Sequence, residues 1–275
     1  MEPADSKPPV LRFERVNVSF DDVEALRDLT FEAREGESRV ILGAAGSGKT
    51  VLLKTALGLV RPDSGKVLVF GRDIAGMREQ DLFQVRSRIG MLFQESALFD
   101  SMSIEDNVAY PLLNQKAISC PPAQVHSRVA QALDFVELGG TLAKFPSELS
   151  GGMRRRAAIA RAVVPAPPLV LYDSPTAGLD PITAHTIIAL LIKERDLSQT
   201  TTLLATHRYQ DGNLIANFRY NSKLGALEPA RHAEGRAART TFMVMKEGRL
   251  IFEGDQDLLE SSADVYISKF VKPRE

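Results

Sequence analysis

Cysteine is nearly absent. Cys120 is the single one in 275 residues, so the chain forms no intrachain disulfide and suits a reducing compartment. The stretch around it, Ile118-Ser119-Cys120-Pro121-Pro122, reads as a loop, and no catalytic thiol is expected there. Neither sign of charge is in excess. The 34 basic residues against 35 acidic ones leave a net charge of -1, which argues against a strong sequence-independent attraction to nucleic acid or anionic lipid. Long apolar runs are missing too: nothing approaches the ~18 residues needed to cross a bilayer. Met1 to Pro9 is polar and proline-rich, unlike a secretory leader. The expectation is a cytoplasmic chain that reaches a membrane only through a partner. What remains is an ordinary globular composition, 44% hydrophobic and 25% charged, at a length that suits one compact unit, residues 1–275, with one subdomain.

Rough alternation of apolar and polar residues from Val10 to Phe20, and a second extended stretch from Leu26 to Ala33, predict antiparallel strands. Arg39 to Leu42 predicts a short strand that runs directly into Gly43-Ala44-Ala45-Gly46-Ser47-Gly48-Lys49-Thr50, and Val51 to Val60 is helix-compatible. A strand over Lys66–Phe70, a helix around Arg78–Arg88 and a strand over Ile89–Phe93 follow. From Glu95 to Val164 strand signals fade, so 95–164 is read as a helical subdomain inserted in an α/β core of residues 10–94 and 165–254. Leu169-Val170-Leu171-Tyr172 and Thr202-Leu203-Leu204-Ala205 are continuous apolar runs, as buried parallel strands require. Pro181 opens a helix between them. Residues 219–239 lack a clear period and read as a solvated surface-loop insertion. Residues 241–252 read as a hairpin about Lys246-Glu247-Gly248-Arg249, and 255–275 as a C-terminal helix.

Strand, glycine loop and helix is the context in which Gly43 to Thr50 acts as a phosphate-binding loop. The glycines let the backbone close around phosphate oxygens, so that N–H groups and a helix N-terminus face the anion. Lys49 supplies a positive charge for the β and γ phosphates, and the Thr50 hydroxyl is a natural magnesium ligand. Asp173, ending its apolar run, is placed to hold the same metal. Ser150-Gly151-Gly152, at the start of a helix predicted over 154–163, offers a second anion site, which a protruding side chain would obstruct.

With Leu149 and Met153 on either side, that second loop resembles the signature motif of ABC transporter ATP-binding subunits. The resemblance runs from about Leu11 to Gly254. It implies a P-loop NTPase fold: an α/β, mostly parallel sheet, with an antiparallel β subdomain and the inserted helical one. It also implies ATP and Mg2+ as cofactors, and a signature loop that contacts ATP held by a second subunit. Phe20 resembles the aromatic that stacks on adenine, and Gln94 the glutamine-loop residue that meets metal and water. Ala177-Gly178-Leu179-Asp180 resembles the loop that communicates across the dimer, and His207 the switch histidine. The resemblance thus assigns Thr50, Gln94 and Asp173 to the metal, and Gln94, Asp180 and His207 to catalysis.

One family residue is missing. The position after the magnesium aspartate usually carries glutamate, which orients or deprotonates the attacking water, and here it is Ser174. Losing a general base costs on the order of 10² to 10⁴ in rate, so binding is expected to survive and hydrolysis to be slow.

The stretches Phe93 to Met102, Asn107 to Leu112 and Phe145 to Glu148 resemble the ATPases of Mla or MCE lipid-transport systems. These imply an integral-membrane permease and an MCE-domain substrate-binding protein as partners, phospholipid as cargo, and no nucleic acid. Leu98, Phe99 and Met102 are candidates for the apolar groove that receives the permease, or for internal packing of the helical subdomain. Homodimer and heterodimer stay open. So do an importer of amino acids or other polar solutes, and a non-transport clamp that closes on ATP and hydrolyses little.

Overall fold

The computed structural model describes residues 8–115, 117–230 and 239–271. Its first two strands, β1 (Leu11–Phe20) and β2 (Val23–Ala33), pair antiparallel. Strict alternation from Leu11 and Phe13 would bring Arg15 inward. Instead Arg15 takes a left-handed φ of 48°, the pairing register shifts, and Val16 and Val18 become the inward residues. Gly65 lies opposite this bulge, where a Cβ would stand 2.4 Å from the Arg15 carbonyl oxygen. Only glycine fits there, and its φ of 88° adds a second reason.

Then follow β3 (Ser38–Leu42), α1 (Lys49–Ala56), β4 (Ser64–Val69), β5 (Arg72–Asp73), α2 (Glu79–Arg86) and β6 (Ile89–Leu92). Helices α3 (Ile104–Asn114), α4 (Pro122–Phe135) and α5 (Gly151–Val163) precede β7 (Leu169–Asp173), α6 (Pro181–Ser198), β8 (Thr201–Thr206) and α7 (Tyr209–Asn217). The remaining elements are β9 (Phe218–Asn221), β10 (Ala226–Pro229), β11 (Thr240–Lys246), β12 (Arg249–Gly254), α8 (Gln256–Glu260) and α9 (Val265–Val271).

The central sheet has the order β12-β11-β3-β8-β7-β6, parallel except for β12, and a second, antiparallel sheet has the order β2-β1-β4-β5. Strands β3, β7 and β8 are buried along their whole length, because both faces of the central sheet are covered. Period-two geometry divides their side chains between two cores. Val40, Leu42, Val170, Tyr172 and Leu204 pack with α3, α4, α5 and α6, while Ile41, Leu169, Leu171 and Leu203 pack with α1, α2 and the antiparallel sheet. The helical segment has no core of its own: Val129 and Leu133 of α4 share one cluster with Val170 and Tyr172 of the sheet.

Two expectations about the C-terminal third need correction. The described part of 219–239 contains an antiparallel hairpin, β9 and β10, where an irregular solvated loop was expected. The Asn221 side chain accepts from the N–H groups of Lys223 and Leu224, which closes the turn. Arg219 pairs with Glu228 across the strands at 2.7 Å. The hairpin is held on α6, where Asp196 accepts from the Tyr220 N–H at 2.7 Å and buried Arg195 donates to the Phe218 carbonyl at 3.0 Å. Phe218-Arg219-Tyr220-Asn221 does alternate, but over four half-buried residues only, too short a run to stand out as a strand. Residues 231–238 of that expectation lie outside the described ones. The single helix expected over 255–275 is two helices within 256–271, because the Asp264 side chain caps a new start by accepting from Tyr266 and Ile267; residues 272–275 lie outside the described ones.

Candidate functional site

Strand register builds the site. Leu42 of β3 stands opposite Thr206 of β8, Ala205 of β8 opposite Asp173 of β7, and Tyr172 of β7 opposite Leu92 of β6. The loops that begin at Gly43, His207, Ser174 and Phe93 therefore leave one edge of the sheet side by side. That is the carboxyl edge, where open α/β sheets bind ligands.

The phosphate loop is shaped by close backbone approach at two of its glycines. A Cβ on Gly43 would stand 2.7 Å from the Met245 carbonyl oxygen, and one on Gly48 would stand 2.6 Å from that of Ala25. Gly48 also starts α1 with a φ of 102°. Gly46, with φ 77°, faces open space, so conformation alone selects it. Ala44 and Ala45 are exposed, and the Ser47 N–H donates to the Ala44 carbonyl at 3.2 Å, which curls the loop. Ala25 and Val23 share β2, and Val23 pairs with Phe20. The hairpin end that carries Phe20, 48% exposed, thus lies on the phosphate-loop side.

Lys49 is 8% exposed, and its ammonium donates to the carbonyls of Gly43 at 2.7 Å and Ala44 at 2.8 Å and to the Ser47 hydroxyl at 3.3 Å. Burial lowers its pKa, and the charge of Asp173 works against that shift. The Thr50 hydroxyl donates to Asp173 Oδ2 at 2.8 Å, and the Ser174 hydroxyl to Oδ1 at 3.3 Å. A hydroxyl and a carboxylate converge beside the loop, an all-oxygen donor set that fits a hard divalent cation such as magnesium. Ser174 holds a left-handed φ of 49°, and its N–H is fixed to the Ala205 carbonyl at 2.8 Å. The Ser174 backbone is therefore held firmly in place.

The signature loop opens α5, with the Ser150 hydroxyl accepting from the Met153 N–H at 3.2 Å. Gly151 is exposed with nothing near its missing Cβ, whereas a Cβ on Gly152 would stand 2.6 Å from Thr183 Cγ2. Thr183 is in the first turn of α6, where Asp180 caps the helix by accepting from Ile182 and Thr183 at 3.0 Å each. The Thr183 hydrogen bonds, side chain first, also lower the Asp180 pKa. These contacts join Asp180 to the signature loop. No hydrogen bond links Ser150, Gly151 or Gly152 to the phosphate loop among the described residues. Gln94 and His207 are exposed at the carboxyl edge. Leu98 packs against the core, whereas Phe99 is 42% exposed and leans on Tyr110 with ring centroids 4.7 Å apart, so the candidate groove residues divide between the two readings.

Three contacts went unforeseen in the sequence. Tyr266 of α9 accepts from the Ala44 N–H and donates to the Met245 carbonyl, both at 3.2 Å, bracing the phosphate loop from the C-terminal helices. Asp211, 2% exposed, accepts from the hydroxyls of Thr176 at 2.6 Å and Thr206 at 2.7 Å, tying the Asp180 loop to the base of His207. Burial raises its pKa, and those hydroxyls oppose the rise. Arg155 of α5 donates to the carbonyls of Phe93 and Gln94. Apart from the bond between Thr206 and Asp211, five residues apart, these contacts join distant parts of the chain, and spacing gives no signal for them.

Comparison with known proteins agrees with this geometry. The family model described as ABC transporter matches residues 26–177. The intermembrane phospholipid transport system ATP-binding protein MlaF of Haemophilus influenzae is 33% identical over 245 residues, 89% of this chain and 83% of that protein. The probable ribonucleotide transport ATP-binding protein mkl of Mycobacterium leprae is 39% identical over 189 residues, 69% of this chain. That match takes in only 54% of mkl, so the chain spans about half the length of this relative. Among solved structures, a dimeric ATP-binding cassette in a post-hydrolysis state with ADP and Pi superposes with a TM-score of 0.73 at 25% identity, covering 89% of this chain and 98% of that one.

Proposed function

The chain belongs to the ABC transporter family, and from that premise we propose that it is the ATP-binding motor subunit of a membrane transport system whose cargo is phospholipid. The observation that carries the first part is the convergence of Lys49, Thr50 and Asp173 at one sheet edge. The N–H groups of residues 46–50 and the start of α1 receive the phosphates, and Lys49 exchanges the Gly43 and Ala44 carbonyls for phosphate oxygens. Thr50 and Asp173, with Gln94, hold magnesium, which when bound neutralises charge on the β and γ phosphates. Phe20 stacks on the adenine, and His207 meets the γ-phosphate.

A Cβ on Gly151 would meet nothing within 4 Å among the described residues, which supports its use by a second subunit. Two subunits close head to tail, each signature loop completing the other's site, with Asp180 beside the seam. Closure moves α3, α4 and α5 and, through the Phe99 face, a permease. Among the described residues no helix is long and apolar enough to cross a membrane. In this reading the permease supplies the attachment to the cytoplasmic face. Ser174 leaves the attacking water without a carboxylate base, and turnover is slow. The likeness to MlaF supports phospholipid and an MCE-domain partner. The likeness to mkl leaves a polar solute as the competing cargo.

Affinity purification from membranes, with mass spectrometry of bound proteins and lipids, tests the assignment. A polytopic permease with an MCE-domain protein and phospholipid is the expected result. A stable soluble ATP-dependent dimer with no membrane partner would replace the transporter with a nucleotide-gated clamp, the reading that Ser174 favours.

A further inference from the structure

Resting on that reading of the site, we propose that Arg155 and Arg161 bolt residues 93–99 to α5, so that Gln94 follows the signature helix and not strand β6. Arg155 is 7% exposed, and one of its terminal nitrogens donates to the Phe93 carbonyl at 3.1 Å and to that of Gln94. Arg161 spreads its two terminal nitrogens over the next carbonyls, Ala97 at 2.7 Å and Ser96 at 2.9 Å. Four carbonyls within five residues thus end on two guanidiniums of one helix. Neither arginine forms an ion pair with a carboxylate among the described residues, so these carbonyls are the acceptors that compensate one buried cation, Arg155, and one half-buried one, Arg161.

The backbone between the anchors is strained. Ser96 and Ala97 are consecutive non-glycine residues with φ of 66° and 49°. L residues occupy that region at a cost, and a pair in succession persists only where surrounding contacts over-determine it. The carbonyls of these two residues are the ones Arg161 holds. The Phe99 ring then lies 5.8 Å under the same guanidinium. A continuous path results, from exposed Phe99 through Arg161, along α5 and through Arg155 to the backbone of Gln94. The N-terminus of α5 is the Ser150-Gly151-Gly152 loop. Capture of that loop by a partner's nucleotide would therefore shift Gln94 relative to Asp173, whose charge already acts on Arg155. Both arginines are positioning residues.

Hydrogen exchange, followed on the full chain without nucleotide, reads the tether directly. In Arg155→Gln, amides of 94–98 should exchange about ten-fold faster while β7 and α5 keep their protection. Arg155→Lys keeps the charge and a single multi-proton donor nitrogen, which is what Arg155 uses here, and should restore most of the protection. Magnesium titration of ATP turnover adds a functional readout: half-saturation should rise about five-fold, with magnesium-free binding of a fluorescent ATP analogue unchanged within about two-fold. Should Arg155→Gln fold poorly, Arg161→Gln tests the outer anchor by the same exchange. Unchanged exchange at 94–98, or a rise spread evenly over β7 and α5, overturns the proposal. Failure of the unsubstituted chain to bind ATP would overturn the nucleotide reading alone, because the exchange arm needs no nucleotide.

Discussion

The phosphate loop and the signature loop are both glycine-rich and both open a helix, yet they are finished to different degrees. Every special feature of the first has a cause inside the chain. Gly43 and Gly48 are pressed by the carbonyls of Met245 and Ala25, Lys49 is satisfied by loop carbonyls, and Tyr266 braces Ala44. The second is divided. Gly152 is explained by Thr183 behind it, but nothing within the chain requires Gly151 to lack a side chain. In the proposed dimer that bareness leaves room for the partner's nucleotide, so that one loop would be a site and the other half of one.

The most direct way to break that contrast is a pair of substitutions. Gly151→Asp should abolish ATP-dependent dimerisation, measured by sedimentation, while the monomer melts normally and still binds nucleotide. Lys49→Ala should do the reverse at the source, weakening ATP binding on the order of 100-fold by losing a charge-assisted contact. If Gly151→Asp dimerises unchanged, the signature loop has no outside partner. A smaller effect is expected from Ser174→Glu. It places a carboxylate on a backbone already fixed by Ala205, and turnover per site should rise about 30-fold, short of a full general-base contribution. No rise would place the limit elsewhere, in closure or in the partner's loop.

The smallest effect concerns the opposite face of the sheet, the one that α6 covers. Glu194 of α6 is 3% exposed, accepts from Thr200 at 2.7 Å and holds its proton up to about 7, against 4.5 ordinarily, chiefly because of burial. Burial, with Glu194 nearby, also raises the pKa of Tyr172, the residue before Asp173. Between these two values the folded chain binds more protons than the unfolded one, so stability falls as pH rises from 4.5 to 7 and is flat above. The loss should total about 2 to 3 kcal/mol. Urea midpoints at pH 5 and pH 8 measure it, and Glu194→Gln should remove the slope. A slope that survives in that variant belongs to other groups.

Much of this was legible beforehand because it is written in local pattern. The runs Leu169–Tyr172 and Thr202–Ala205 have no alternation because both faces of their strands are covered. Gly43 to Thr50 announces its loop because its backbone admits few alternatives. The hairpin of residues 218–229 was hidden because its strands are four residues each and half-buried, too short for a period to show before Arg219 meets Glu228. Arg155 on Gln94, Asp211 on Thr176 and Tyr266 on Ala44 were invisible for another reason. Each joins a side chain to a distant loop, and no spacing along the chain encodes such a meeting. The left-handed pair Ser96 and Ala97 was equally silent, since neither residue type requires that conformation.

Asn107 has one more consequence. It is fully buried on α3, and its side-chain amide accepts from the Phe99 N–H at 2.8 Å and donates to the carbonyls of Phe99, Met102 and Ser103 at 3.0 to 3.2 Å. A single side chain thus freezes residues 99–103 before anything docks on them. Ordering a loop opposes association through lost conformational entropy, and here that loss was incurred when the chain folded. A protein that meets Phe99 finds a fixed knob, so its complementarity can be spent on shape, and recognition there should be fast and rigid-body in character.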